Sequence, residues 1–205
     1  MKNSNAKLLD VGCYVGHDLR ALHFDGVPQA SLHGLDLLDY ADLGAELFND
    51  AERFSIRGRF AIGDILDSST ESESSRLFDG KMDIVWCALV IHLFPWDKQV
   101  SACKRLVQYT AGPGSMILAC QVGKKDIFGN FALHKVTDGK FKGTEPFGHS
   151  VETLRRLWIQ AGEEAGVKLS VDTRWVEYED YGLEPKRSKW LGQEMGVLEC
   201  TVLLL

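Results

Sequence analysis

Three acids stand at the ends of short apolar runs: Asp10 in Leu8-Leu9-Asp10-Val11, Asp36 in Leu32-His33-Gly34-Leu35-Asp36, and Asp64 in Phe60-Ala61-Ile62-Gly63-Asp64. An ionised carboxylate only accepts hydrogen bonds. At such places Asp36 can hold both hydroxyls of a ribose, Asp64 can accept from an adenine amino group, and Asp10 can face an ammonium group. Asp10 leads into Gly12-Cys13-Tyr14-Val15-Gly16-His17. A pyrophosphate-binding loop needs G-x-G-x-x-G, yet counted from Gly12 the other two glycine places hold Tyr14 and His17, so a nicotinamide dinucleotide is not expected. A ligand without phosphate asks less, since Gly12 and Gly16 suffice for a tight turn with close backbone approach. Taken singly, each acid is more often a helix cap and the glycine pair a plain strand-to-helix turn. On three successive parallel strands, however, all three acids would reach the carboxyl edge of one sheet, where open α/β folds bind ligands.

A second group follows the fourth apolar run. His92 stands where an acceptor would meet a bound cofactor, so it can orient or deprotonate a substrate, or simply pack against the next helix. His149 has the same two readings. Phe94, Trp96 and Phe147 can wall an apolar pocket, although aromatic residues after a strand are commonly core. Cys13, Cys87 and Cys120 fall at the ends of strands one, four and five; they read as small buried thiols, and no metal site is expected.

Elements at the right intervals exist to position these residues. Lys7 to Val11, Ser31 to Leu37, Arg59 to Ile65, Met82 to Val90 and Ser115 to Gln121 read as strands. Asp18 to Phe24, a segment through Leu43 and Leu47, and Asp97 to Tyr109 read as the helices between them. The acidic, Ser-rich segment 67–75 reads as a solvated loop, and 123–148, rich in Gly and Lys, as a long loop or insertion beside the ligand edge. Val151 to Ala165 is expected as a helix capped by Ser150 and ended by Gly166. Lys168 to Glu179 and Val197 to Leu205 would be two last strands, joined by a polar connection containing Pro185. The alternation predicts an α/β fold: a mostly parallel sheet with helices on both faces and an antiparallel addition at one edge.

Composition narrows the function classes. A chain of 205 residues that is 45% hydrophobic and 25% charged suits one globular domain, here 1–205. A net charge of -6 without a basic run argues against nucleic acid as a partner. The apolar stretches are too short to span a bilayer and Met1 opens a polar segment, so no membrane partner and a cytoplasmic location are expected. Five irregularly spaced cysteines fit a reducing compartment.

From the Asp-x-Gly-x-x-x-Gly loop to the last two strands, the chain resembles the class I S-adenosylmethionine-dependent methyltransferases, with Tyr14 where their second loop glycine usually stands. More narrowly, the stretch from Leu9 to Arg20, His92-Leu93-Phe94-Pro95-Trp96-Asp97-Lys98-Gln99-Val100, Gln121-Val122-Gly123 and His149-Ser150-Val151-Glu152 are similar to motifs of fungal methyltransferases that esterify meroterpenoid carboxylic acids. The resemblance implies a Rossmann-like seven-stranded sheet and S-adenosylmethionine as cofactor, with S-adenosylhomocysteine as product. It implies cofactor contacts from Asp10, Gly12, Cys13, Gly16, Asp36, Leu37, Asp64, Ile65 and Cys87. Catalysis would involve His92, and substrate contacts would come from Phe94, Trp96, Gln121, Phe147 and His149. Similar proteins carry an Arg where Cys120 and Gly148 stand here, and a helical segment before the first strand, where this chain has six residues before Lys7. The exposed edge would then be covered by the 123–148 loop or by a second subunit, and the homodimer is the expectation. Three functions stay open: an O-methyltransferase for an apolar small molecule, favoured on a carboxylate; a cofactor-binding regulatory protein; and a cyclase or isomerase of the same fold.

Overall fold

The computed structural model describes residues 5–126, 129–130, 146–182 and 195–205. In chain order the elements are β1 (Leu8–Val11), α1 (His17–Phe24), β2 (Leu32–Asp36), α2 (Ala41–Phe48), β3 (Phe60–Ile62), α3 (Glu73–Phe78), β4 (Ile84–Ala88), α4 (Trp96–Tyr109) and β5 (Met116–Lys124). There follow β6 (Gly129–Asn130), β7 (Phe147–Gly148), α5 (Val151–Ala165), β8 (Leu169–Val176) and β9 (Met195–Leu204). A seven-stranded sheet runs in the order β3-β2-β1-β4-β5-β9-β8, while β6 and β7 form a separate antiparallel ribbon.

The expected α/β architecture is present. β1 is buried along its whole length and pairs in parallel with β2 on one side and β4 on the other. That junction is where the strand order reverses, and it opens a crevice at the carboxyl ends. The edge addition takes a particular form: β9 lies antiparallel between β5 and β8, so β8, though earlier in sequence, is the outer strand and runs with the parallel set. One face of the sheet packs on α4 and α5 around Trp158, Tyr109 and Phe78; the other buries Leu19, Leu32 and Phe54 beneath α1. The two hydrophobic clusters hold the sheet between them.

Local signals set several boundaries. Ser150 and Thr153 form a reciprocal capping box at the start of α5, and Gly166, at φ 67, turns the chain out of it, as expected from the sequence. Other expectations are corrected. The Ser-rich segment is only partly loop: Ser72 caps α3, and Ser74 and Ser75 are buried because the buried Arg105 donates to the Ser75 hydroxyl at 2.6 Å. α2 exists, but Leu43 and Leu47 face solvent, and its buried contact is Gly44, where an added Cβ would lie 2.4 Å from the Val15 carbonyl. Strand β3 stops at Ile62, so Asp64 sits in the loop beyond it. Gly123 and Lys124 continue β5, and Phe147 and Gly148 pair with 129–130, so the segment read as one loop has strands at its ends. Its interior, 131–145, and Pro185 lie outside the described residues.

Candidate cofactor and acceptor site

β1 delivers the chain into a loop folded back on β2. The Gly12 and Cys13 amides both donate to the Leu35 carbonyl, at 2.8 and 3.3 Å, and the Gly16 amide donates to the Cys13 carbonyl at 2.7 Å. Gly12 is required twice over: its φ is 79, and a Cβ there would meet Val90 at 2.4 Å. Tyr14 adopts φ 48 without being glycine, a conformation that costs an L-residue about 1–2 kcal/mol. Its amide is thereby aimed at Asp36, donating to Oδ2 at 2.8 Å, while the Leu38 amide reaches Oδ1 at 3.4 Å.

A cleft of about 430 Å³ opens at the carboxyl ends of β1 to β4, lined by Val11, Gly12, Leu35, Asp36, Leu37, Gly63, Asp64, Ile65, Val90, Leu93 and Phe94. Gly12, Asp36, Leu37, Asp64, Ile65 and Phe94 are thus brought together as the sequence suggests. Asp64 is solvent-exposed, and its Oδ1 accepts from the Leu66 amide at 2.8 Å. Among the described residues, no lysine or arginine lines the cleft. A pyrophosphate would find no countercharge there, whereas two carboxylates among apolar walls fit a nucleoside.

The other residues expected to meet a cofactor lie beneath or beside the cleft. Asp10 is 3% exposed, and burial, with the Asp18 and Asp36 charges second, pushes its carboxyl well above the usual range. No Lys or Arg ion pair reaches Asp10 or Asp36 among the described residues. Asp18, in the first turn of α1, accepts from the Trp86 indole at 2.8 Å. The site therefore gathers negative charge that a cationic ligand would neutralise. Gly16 starts α1 as a left-handed cap. The Cys13 thiol turns to Gly34 of β2, and the Cys87 thiol lies in the core; burial raises both.

On the acceptor side, the structure separates residues the sequence had grouped. Phe94 lines the cleft, whereas Trp96, Phe147 and His149 form an aromatic cluster beside it, Trp96 and Phe147 edge-on at 4.9 Å. The hub of that cluster is Gln99, fully buried on α4. Its amide nitrogen donates to the Phe94 carbonyl at 2.8 Å and the Phe147 carbonyl at 2.7 Å, which leaves its oxygen to face His149 Nε2 at 2.6 Å. Since that oxygen only accepts, His149 carries its proton on Nε2, and Nδ1, 3.2 Å from the Thr153 hydroxyl, is the acceptor. Both ring nitrogens of His149 are thus engaged within the protein. His92 is half-buried and is not among the residues that line the cleft; its Nδ1 is enclosed and has no partner among the described residues. Burial holds both imidazoles down to about 4. Gln121 is buried on β5, its amide nitrogen without a partner among the described residues. Sequence reading missed Gln99, Val90, Leu93 and Asp18, whose roles depend on contacts between distant elements; Asp18, Leu93 and Gln99 stood inside motifs already noticed, but none was given a role of its own.

The sheet order, the glycine loop and the acid-rimmed cleft define the class I S-adenosylmethionine-dependent methyltransferase fold. Solved structures agree: an S-adenosylmethionine-dependent methyltransferase from Mesorhizobium loti superposes with TM-score 0.62 over 99% of this chain and 93% of its own, at 14% identity. Phosphoethanolamine N-methyltransferase 2 of Haemonchus contortus, in complex with S-adenosylmethionine, gives 0.64 over 97% and 48%, at 12% identity. The [4+2]-cyclase SpnF gives 0.61 over 97% and 74%, at 16% identity. By sequence, the chain is a homologue of fungal O-methyltransferases. It is 34% identical over 183 residues to O-methyltransferase phiE of Fungal sp. (strain ATCC 74256), covering 88% of this chain and 57% of that protein. With methyltransferase adrK of Penicillium rubens it shares 33% identity over 168 residues, covering 81% and 57%. The chain thus spans little more than half the length of these relatives. No protein-family model matches the sequence.

Proposed function

We propose that the protein is an S-adenosylmethionine-dependent O-methyltransferase acting on a carboxylate of an apolar small molecule in the cytoplasm. The observation that carries this reading is the phosphate-averse cleft, with Gly12, Asp36 and Asp64 converging on it. Asp36, oriented by the Tyr14 amide, would accept from the ribose hydroxyls, and Asp64 from the adenine amino group between Leu37 and Ile65. Asp10 would balance the ammonium of the methionyl end. When bound, the cofactor supplies a methyl group on an already activated sulfonium, so the protein's task is alignment and exclusion of water. Phe94 and Leu93 would shape the apolar acceptor wall.

His92 is not among the residues that line the cleft, which fits a carboxylate acceptor better than a phenol, since only the phenol calls for a base at the reacting oxygen. Held down to about 4 by burial, His92 is a weak base, but a carboxylate acceptor is already ionised and needs none. We further propose that a second copy covers the exposed Leu37, Leu38 and Leu89 around the cleft.

Incubation with methyl-labelled S-adenosylmethionine and a panel of apolar carboxylic acids and phenols tests the reading. Label recovered as a base-labile ester supports it, and label recovered only on phenols refutes the carboxylate assignment. Tight cofactor binding with no labelled product from any acceptor points instead to a regulatory or cyclase role, the latter represented in this fold by SpnF.

A further inference from the structure

We propose that Arg20 is the positioning residue of the glycine loop: it clamps the Val15 carbonyl to α2 and so holds Tyr14 in the left-handed conformation that aims at Asp36. This rests on the assignment of that loop and Asp36 to the cofactor. Arg20 lies one turn into α1, its side chain 11% exposed. It grips Asp50, just beyond α2, through two bonds, Nε to Oδ2 at 2.8 Å and Nη2 to Oδ1 at 3.1 Å. The remaining Nη1 donates to the Val15 carbonyl at 2.6 Å. The rings of Phe48 and Phe54 each lie 4.8 Å from the guanidinium carbon, so the fork is fixed in plane as well as by its bonds.

Val15 is the residue after Tyr14, and its carbonyl is also the atom that any side chain at position 44 would strike first. Arg20 therefore ties the strained turn to α2 at a point adjacent to the strain. A left-handed tyrosine persists only where its surroundings over-determine it. Without the clamp, the loop is free to relax at Tyr14, which withdraws the amide from Asp36 and lets that carboxylate turn away. Lysine carries the same charge but no planar fork, so it can meet Asp50 or Val15 but not both in this geometry.

Two measurements on wild type and Arg20→Lys decide the matter, with Asp50→Asn as a second variant if Arg20→Lys does not fold. The first is amide hydrogen exchange. In a folded variant the Tyr14 and Gly16 amides should exchange about tenfold faster or more while those of β1 and β4 are unchanged, the signature of local rather than global opening. The second is S-adenosylhomocysteine affinity by calorimetry, well below the unfolding midpoint. The dissociation constant should rise about tenfold, the size of effect of one hydrogen bond to a charged group. Unchanged loop exchange in the folded variant overturns the proposal whether or not ligand binds. Faster exchange with an unchanged dissociation constant also overturns it, by showing that the clamp is structural only. If the wild type itself fails to bind S-adenosylhomocysteine, the functional reading falls, and the exchange data still decide whether Arg20 holds the loop.

Discussion

Replacing Asp10 by asparagine should make the free protein more stable and the liganded one weaker. The side chain keeps its shape, so packing in β1 is preserved. What changes is a carboxyl group that is 3% exposed, held well above its usual range by burial and by the Asp18 and Asp36 charges. A group whose folded pKa is raised contributes stability below its unfolded value near 3.8, and that contribution is lost as pH rises through the folded value. At neutral pH the fold bears an unpaired buried acid, and the amide removes that penalty. We expect stabilisation of about 1–2 kcal/mol in chemical denaturation at pH 8, the range of single stabilising replacements, shrinking toward zero in acid. Binding should move the other way: losing one charged partner of the cofactor's ammonium weakens S-adenosylhomocysteine by about 1.5–3 kcal/mol, roughly 10- to 150-fold. Paired denaturation and calorimetry at two pH values provide the assay. A folded Asp10→Asn protein that is destabilised at pH 8 and binds the ligand as well as wild type would falsify the assignment of Asp10 as an electrostatic partner rather than a structural acid.

Other consequences are equally open to measurement. Asp36→Ala should keep its fold by circular dichroism yet lose about 1.5–3 kcal/mol of S-adenosylhomocysteine affinity; an unchanged dissociation constant would reduce Asp36 to a cap for the loop. Tyr14→Gly removes a left-handed side chain but adds freedom to the unfolded chain, so its unfolding free energy should change by less than about 1 kcal/mol; a larger loss would show that the ring's edge contact with Tyr40 dominates. Gln99→Leu strands two carbonyls and His149, and should cost about 2–4 kcal/mol of stability, several times a surface substitution. His92 and His149 both enter the fold neutral, with pKa values lowered from 6.5 to about 4. Stability should therefore be full above pH 6.5 and fall toward pH 4 as the unfolded chain takes up protons; His92→Phe should flatten that slope, and an unaltered slope in urea titrations at stepped pH would contradict the burial of its imidazole.

Much of the scaffold was legible because its signals are local. Ser150 and Gly166 bracket α5 with caps that act within one turn, and the near-continuous apolar run from Met82 to Val90 reads as a central parallel strand, where β4 lies. Gly12 and Gly16 were readable for the same reason, since each needs a backbone that other residues resist. Gln99 was not readable: a glutamine inside a helix is ordinarily a surface residue, and its hub role exists only once Phe94, Phe147 and His149 arrive from three other segments. The Ser-rich segment misled through composition, because Arg105, far along the chain, makes its serines worth burying. The helix through Leu43 and Leu47 was readable, but its packing was not: it sits so close to the glycine loop that Gly44 makes the buried contact while both leucines are exposed. Strand ends also ran short, which left Asp64 on a loop rather than on β3.

Calorimetric titration of the protein with S-adenosylhomocysteine and, in parallel, with NAD tests the central claim most directly. A cleft rimmed by Asp36 and Asp64, floored by Gly12 and, among the described residues, lined by no lysine or arginine predicts single-site binding of S-adenosylhomocysteine and none of NAD. Folded protein that binds NAD tightly and leaves S-adenosylhomocysteine in solution would contradict it.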